Sequence, residues 1–338
     1  MTKDKILSMP NIDILKNKYD LGFFPTPLHY LKNLSKQFDY DIYVKRDDQT
    51  GLATGGNKTR KLEYLIKDAL DKGYDTVITA GAQQSNHCRQ TAAACATTDL
   101  ECHLLLNAYK PDTYQGNLFL DDLLGAHLHF SGSSKKSREE DLKELKTGLE
   151  KEGKKVYLIP VGGSNFVGSL GYVSAMKELK NQLTEQKLKI DYIFFATSSG
   201  GTQSGIMTGK ILFDIDTTLM PIQIDKEKDY TLSLETEILK ILQESVEKFN
   251  LSQTFDLKDI PVIKGYNLAE YGQLTNNERF AVNISAKTEG ILLDPVYTGR
   301  AFYGMLDILK KQKIPKTSKV LFWHTGGSAA LFKYADEF

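Results

Sequence analysis

The sequence predicts an α/β protein with a mainly parallel sheet, and three observations carry the prediction. Short β-rich apolar runs alternate with segments of helical period, the pattern of βαβ units. At 338 residues, 41% apolar and 25% charged, the chain has ordinary globular composition and length for two domains or one large α/β unit. Its glycine- and hydroxyl-rich segments fall where strands hand over to helices, which is where open α/β sheets bind ligands.

Strands are expected at residues 42–44, 76–80, 102–106, 127–130, 156–159, 192–196, 219–224, 291–293 and 320–323. The run 219–224 contains Pro221, which cannot donate to a ladder and suits an edge strand or a strand start. After Asn57, the residues Leu62, Leu65, Ile66, Ala69 and Leu70 recur at helical spacing, and Gly73 can stop that helix. Residues 131–155 carry SSKKSREEDLKELKTGLEKEGKK, an exposed helix laced with Glu/Lys pairs. Residues 225–259 are also charge-rich, with Leu234, Ile238, Ile241, Val246 and Phe249 as a core-facing stripe.

Composition excludes several classes. Lys+Arg and Asp+Glu balance at 43 each, so no net field draws in nucleic acid or an anionic membrane. No apolar run approaches the roughly 18–20 residues that span a bilayer. The opening MTKDKILSMPNIDILKNKYD has no apolar core of secretory type, and a cytoplasmic address is expected. Cys88, Cys95 and Cys102 are odd in number and form no CxxC, which argues against a disulfide scaffold and structural zinc; no metal is expected. Cys88 and Cys95, seven apart on one helix face, read as packing.

Three strand-to-helix turns concentrate the chemistry. The first, 45–61, reads KRDDQTGLATGGNKTRK: Gly55 and Gly56 free the backbone and Asn57 suits a helix cap. Lys58, Arg60 and Lys61 then stand in the first helical turn, where the helix dipole disfavours cations. Cations there point to a bound anion or an amine whose pKa is meant to fall, with a basic surface turn as the alternative. The second, TVITAGAQQSNH at 76–87, runs into an Ala-rich helix over 87–97, whose opening N–H groups can hold a carboxylate with Ser85 and Asn86. His87 alone reads equally as a structural residue. The third, YIFFATSSGGTQSG at 192–205, has the form of a cradle for a phosphate dianion. Gly200 and Gly205 have P-loop spacing, but Ile206 and Met207 stand where Lys and Ser/Thr are needed, and Thr202 breaks the dinucleotide GxGxxG. A small phosphorylated cofactor therefore fits better than ATP or NAD, and a ligand-free glycine turn is the alternative.

Further stretches appear in order around these turns: PTPL at 25–28, VKRDD at 44–48, GGNKTRKLE at 55–63, TAGAQQSNHCRQTAA at 79–93, IPVGGSN at 159–165, SSGGTQSG at 198–205, ILLDPVYTG at 291–299 and HTGG at 324–327. Together they resemble the tryptophan-synthase-β-like (fold type II) pyridoxal-phosphate (PLP) enzymes from about residue 25 to the C-terminus, and within them the D-cysteine desulfhydrase and 1-aminocyclopropane-1-carboxylate (ACC) deaminase group. The resemblance implies a two-domain, three-layer α/β/α fold with mainly parallel sheets. Residues 1–51 plus 166–338 would form the large PLP-binding domain and 52–165 a small inserted domain, in a homodimer acting on a small amino acid.

Carried over by motif, Lys58 would be the Schiff-base lysine and Asn86 would bond the cofactor's phenolic oxygen. Ser199, Gly200, Gly201 and Thr202 would hold its phosphate, with Thr298 and Thr325 near the pyridine nitrogen. Ser85, with Gln84 and His87 beside it, would receive the substrate carboxylate, and Tyr271 and Tyr297 match the group's active-site tyrosines. ACC deaminases tend to carry Glu directly after the tyrosine matching Tyr297, whereas this chain has Thr298, as in the desulfhydrase-like members. A hydroxyl is a weaker partner for the ring nitrogen, better matched to β-elimination than to opening a cyclopropane ring. D-cysteine desulfhydration to pyruvate, hydrogen sulfide and ammonia is the expected reaction. GLATGGNKTRKLE also resembles L-cysteate sulfo-lyases, so the leaving group stays open, beside ACC deamination and a catalytically silent PLP-binding protein.

Overall fold

Strands that are apolar at nearly every position must be covered on both faces, and the chain meets that requirement twice. The computed structural model describes residues 10–132, 134, 136–226 and 232–338. The chain opens with β1 (Leu28–Tyr30), α1 (Lys32–Phe38), β2 (Asp41–Arg46) and α2 (Asn57–Asp71). It continues through β3 (Thr76–Gly81), α3 (Asn86–Thr98), β4 (Glu101–Leu106), α4 (Gly116–Leu123), β5 (His127–Phe130), α5 (Arg138–Lys151) and β6 (Val156–Leu158). It then runs α6 (Phe166–Glu185), β7 (Tyr192–Thr197), α7 (Gly201–Leu212), β8 (Thr218–Gln223) and α8 (Leu234–Phe249). The last part is α9 (Asn276–Glu289), α10 (Thr298–Lys310), β9 (Lys319–His324) and α11 (Ser328–Leu331).

Two sheets result, ordered β1-β2-β9-β7-β8 and β5-β4-β3-β6. Every pairing is parallel except β1 with β2. In the five-stranded sheet, Phe194, Val320 and Phe322 pack towards α1, α9 and α10. Their neighbours Ile193, Phe195, Leu321 and Trp323 pack towards α6, α7 and α8. The four-stranded sheet repeats the pattern: Val77, Leu104 and Leu106 face α2 and α3, while Ile78, Ala80 and Leu105 face α5. The architecture is thus α/β/α about each sheet, with side chains alternating between layers. Each fully buried large apolar side chain contributes about 1.5–3 kcal/mol of transfer free energy.

The expected strands are present, 127–130 with unchanged bounds and the others with one or both ends shifted, apart from 291–293. That segment leaves the left-handed cap Gly290 of α9, and its polar groups are met without a neighbouring strand. Ser285 Oγ donates to Ile291 O (2.9 Å), and His324 Nε2 contacts Leu292 O (3.0 Å). The short β1 was not expected. Pro221 sits in β8, which is an edge strand, where a missing donor costs least. Gly56, at φ +132°, and not Asn57 takes the cap position of α2, because Asn57 is spent elsewhere. In α8 the buried face runs through Leu242 and Ser245, and Val246 is only half-buried. The charge-rich 131–155 does form an exposed helix, α5, opened by a Ser137/Glu140 capping box. Residues 133 and 135, 227–231, and the first nine of the N-terminal reading lie outside the described residues. All three cysteines are buried and unpaired, and no described helix is long and apolar enough to cross a membrane.

Candidate active site

The strand-to-helix turns β2–α2, β3–α3 and β7–α7 converge on one cavity of about 420 Å³ between the two sheets. It is lined by Asn57 and Lys58 from α2, Ser85 with Asn86 and His87 at the start of α3, and Ser198–Gly200 before α7 with Thr202 in it. Tyr271, Tyr297, Asp225, Glu270, Thr325 and Arg138 complete the wall.

The start of α2 is held where only glycine fits. A Cβ on Gly56 would lie 2.3 Å from Gln90 Nε2, and Asn57 N donates to Thr325 O (2.9 Å). Lys58 follows, fully enclosed. Burial pushes its amine down from the usual lysine range to about 8, against the opposing pull of Lys61 and Asp225. Lys61 is pushed well down as well, by burial and then by Lys58 beside it, and its Nζ donates to Gly162 O (2.9 Å). Two buried amines in contact cannot both stay protonated, and together they make a site that attracts an anion and keeps one amine neutral.

Opposite stands the start of α7. Gly200 takes φ +83° as the cap of α7, so the helix begins at the cavity wall, where its dipole favours negative charge. Ser164 and Ser199 share a hydrogen bond (2.7 Å), and Gly201 N donates to Ser164 Oγ (3.2 Å). Asn57 Nδ2 reaches across to Thr202 Oγ1 (3.2 Å), joining the two walls. A Cβ on Gly201 would sit 2.8 Å from Ser164 and 3.1 Å from Lys61 Nζ, so the glycine preserves a small cradle of N–H, hydroxyl and amine donors. That donor set suits a phosphate dianion.

On α3, Ser85 is the helix cap and its Oγ accepts from Cys88 N (3.2 Å), which leaves the hydroxyl proton to give. Asn86 Oδ1 accepts from Asn117 Nδ2 (2.9 Å) and Arg89 Nη1 (3.1 Å), which turns Nδ2 outward as a donor. Thr79 Oγ1 donates to Ile159 O (2.8 Å), so His87 Nε2, 2.9 Å away, must donate to Thr79. His87 Nδ1 is then a bare acceptor, buried without a partner, in a ring held neutral by burial and by Lys58 and Lys61. An unmet buried polar atom on a residue that lines the cavity fits a site shaped for a ligand. Across the cavity, Tyr271 and Tyr297 join their hydroxyls at 2.8 Å, with rings edge-to-face at 5.9 Å. Burial raises the Tyr271 phenol well above the ordinary tyrosine range, keeping its proton on.

Lys58, Ser85, Asn86, His87, Ser199, Gly200, Thr202, Tyr271, Tyr297 and Thr325 therefore meet on one cavity, with Gly201 beneath it. Two expected residues lie elsewhere. Gln84 bonds Gln115 O (2.9 Å) and Asn117 N (3.0 Å), fastening the start of α4. Thr298 is fully buried, and its hydroxyl both donates to Asp294 Oδ1 (2.7 Å) and accepts from Asp294 N (2.8 Å), closing the first turn of α10. Reasoning from sequence flagged Lys61 only as one of three first-turn cations and missed Asn57 and Asp225 in the cavity wall and Ser164 behind it. IPVGGSN carried a signal for Ser164, whereas Asp225 lies at the end of a plain apolar run.

Comparison with known proteins agrees with this geometry. Residues 19–326 match the family model described as pyridoxal-phosphate dependent enzyme. D-cysteine desulfhydrase of Klebsiella pneumoniae is 39% identical over 92% of this chain and 94% of its own. A Pyrococcus furiosus protein provisionally named 1-aminocyclopropane-1-carboxylate deaminase is 38% identical over 97% and 98%. The crystal structure of an ACC deaminase homologue superposes with a TM-score of 0.86 at 36% identity, covering 96% of each chain. A family model spanning most of the chain, near-full-length relatives and a shared fold converge: the chain belongs to the pyridoxal-phosphate-dependent enzymes, as a lyase of the D-cysteine desulfhydrase and ACC deaminase group.

Proposed function

We propose that the protein splits D-cysteine by β-elimination and hydrolysis, one water and one D-cysteine giving pyruvate, hydrogen sulfide and ammonia. Thr298 carries this reading. The residue after Tyr297 offers no carboxylate to a ring nitrogen, and its hydroxyl is already closed on Asp294. A weaker electron sink suffices for expelling sulfide, a good leaving group, but not for opening an unactivated cyclopropane ring. The name of the Klebsiella relative supports the same substrate.

Pyridoxal phosphate supplies an electron sink for charge developing at the substrate's α-carbon. Lys58 would bind it covalently, the α7 cradle with Lys61 would hold its phosphate, and Asn86 Nδ2 would donate to its phenolic oxygen. Everything else falls to the chain. The N–H groups opening α3 and the Ser85 hydroxyl bind the substrate carboxylate, helped by the helix dipole. Lys58, half neutral near pH 8, takes the α-proton at its Nζ. The Tyr271–Tyr297 pair positions the leaving sulfur and passes it a proton. Asn57 and Thr202 bridge the two walls and fix the width of the cleft.

A second reading has one observation in its favour. Arg138, the first residue of α5, lines the cavity and offers a cation to a sulfonate, so L-cysteate is the competing substrate. Pyruvate release from D-cysteine, L-cysteine, L-cysteate and ACC, measured side by side on the PLP-loaded protein, tests both. Sulfide and pyruvate from D-cysteine bear out the first reading, and sulfite and pyruvate from L-cysteate move the assignment to the second. Release of 2-oxobutyrate from ACC, or no product from any substrate, overturns both.

A further inference from the structure

The edge of the four-stranded sheet carries a histidine cluster that lies outside the cavity and that no step above uses. The parallel register of β4 and β5 sets His103 opposite His127 and Leu105 opposite His129. Glu101, two residues before His103, shares its face of the sheet. Glu101 Oε1 lies 2.9 Å from His103 Nε2 and 3.5 Å from His127 Nε2, and one ligand atom from each of the three lies within 4.8 Å of the others. We propose that Glu101, His103 and His127 form a binding site for a divalent transition metal ion of the zinc type, with water completing its coordination.

Geometry, proton inventory and access all point the same way. A tetrahedral zinc ion with bonds of about 2.0–2.1 Å sets its ligand atoms about 3.3 Å apart, and 2.9 and 3.5 Å bracket that value. His103 Nδ1 lies 2.9 Å from His129 Nε2. If His103 Nε2 binds metal, Nδ1 carries the proton and donates to His129, the outer-shell contact that orients metal-bound imidazoles. The rings of His103 and His127 stack at 4.6 Å and those of His103 and His129 at 5.2 Å, which gathers the three imidazoles into one small region. Lys154 pairs with the other carboxylate oxygen of Glu101, Oε2, and leaves Oε1 for the ion. The side chain of His103 is 6% exposed and that of His127 57%, so the site has a buried anchor and an open mouth. Imidazole with a single carboxylate selects zinc, nickel, cobalt or copper over calcium and magnesium, which prefer all-oxygen shells. A bound ion would pin the edge strand β5 to β4. The expectation of no metal rested on the cysteines and did not weigh these histidines, which come together only through strand register.

The test is a zinc titration of the PLP-loaded protein against a chromophoric chelator, with His127→Ala, Glu101→Gln and His129→Ala in parallel. The wild type should take up one tight equivalent per chain. His129→Ala should bind about 10–100-fold more weakly, and the two ligand variants more weakly still. Pyruvate release in the absence of zinc should be unchanged in all three, which separates loss of the site from loss of the fold. A wild type that takes up no zinc overturns the inference. So does a His127→Ala/Glu101→Gln double variant that binds zinc as tightly as the wild type, because the ion would then sit elsewhere.

Discussion

One turn of α2 faces two ways, and its cations have opposite surroundings. Behind it, Arg60 gives Nε and Nη2 to the two oxygens of Asp47 (both 2.8 Å) and reaches Glu178 through Nη1 (2.9 Å). Tyr172 and Trp323 add hydrogen bonds to the same Asp47 oxygen (2.7 and 2.8 Å), and Lys45 pairs with Glu178. Burial opposes the charge on Arg60, but Asp47 and Glu178 outweigh it and hold the guanidinium above its usual range. In front, Lys58 and Lys61 have each other, a carbonyl oxygen and the pull of Asp225 on Lys58, and burial outweighs these and lowers both. A buried cation given carboxylates stays charged and fastens the fold. One whose carboxylate is outweighed by burial is held near neutrality, where an amine can act as nucleophile and base.

Removing the reactive side of the turn should have the largest effect. Lys58→Ala is expected to lower pyruvate release by at least about 10⁴-fold and to abolish the visible band of covalently bound cofactor, with the denaturation midpoint nearly unchanged. Full activity in that variant would end the assignment of Lys58. Arg60→Ala should do the reverse. It strands two buried carboxylates and is expected to cost about 3–5 kcal/mol of stability, read from a shifted denaturant midpoint at constant slope. Its folded fraction should keep most of its turnover. An Arg60→Ala protein that is stable and inactive would show that the two sides of the turn are not separable. Acid probes the same cluster. Asp47 is held at about 2, below the ordinary 3.8, so its contribution is fully present above about pH 4 and is lost as pH falls towards 2.

The difference between the two sides was only partly legible in the sequence. Lys58, Arg60 and Lys61 in a first helical turn signalled an anion or a depressed amine, because local dipole physics needs no tertiary contact. Which of them reacts was not in the local pattern. It depends on Asp47, 13 residues before Arg60, and on Glu178, 118 residues after it, which reaches Arg60 only once α6 packs on α2. The alternation of strands and helices was readable for the same reason that periodicity is local. The run 291–293 has the composition of a strand, yet Ser285 and His324 meet its carbonyls before any strand can. Thr298 and Gln84 were placed by motif, and the structure turns both onto backbone that they fasten. Motif resemblance locates a residue along the chain but does not say where its side chain points.

Smaller effects sharpen the contrast. Tyr271→Phe keeps the ring and its packing but removes the hydroxyl joined to Tyr297, and is expected to lower turnover by about 100-fold with little change in stability. A loss confined to KM would mean that the pair binds substrate without assisting departure of the leaving group. The smallest expected effect is a pH dependence that only the front of the turn can produce. In the cofactor-free protein the Lys58 amine titrates at about 8, lowered from 10.5. Because the folded value lies below the unfolded one, the charged form is the penalised one, so stability falls as pH drops from about 10.5 to 8 and levels off below. The neutral amine captures the cofactor, so the rate of uptake should rise about tenfold between pH 7 and 9 as the neutral fraction grows. Arg60 and Asp47 do not titrate in that window, and an Arg60→Lys protein that folds should show the same profile. A flat profile between pH 7 and 9 would mean that Lys58 is already neutral there, and the separation between a charged back and a titrating front would have to be redrawn with Lys61 as the protonated partner.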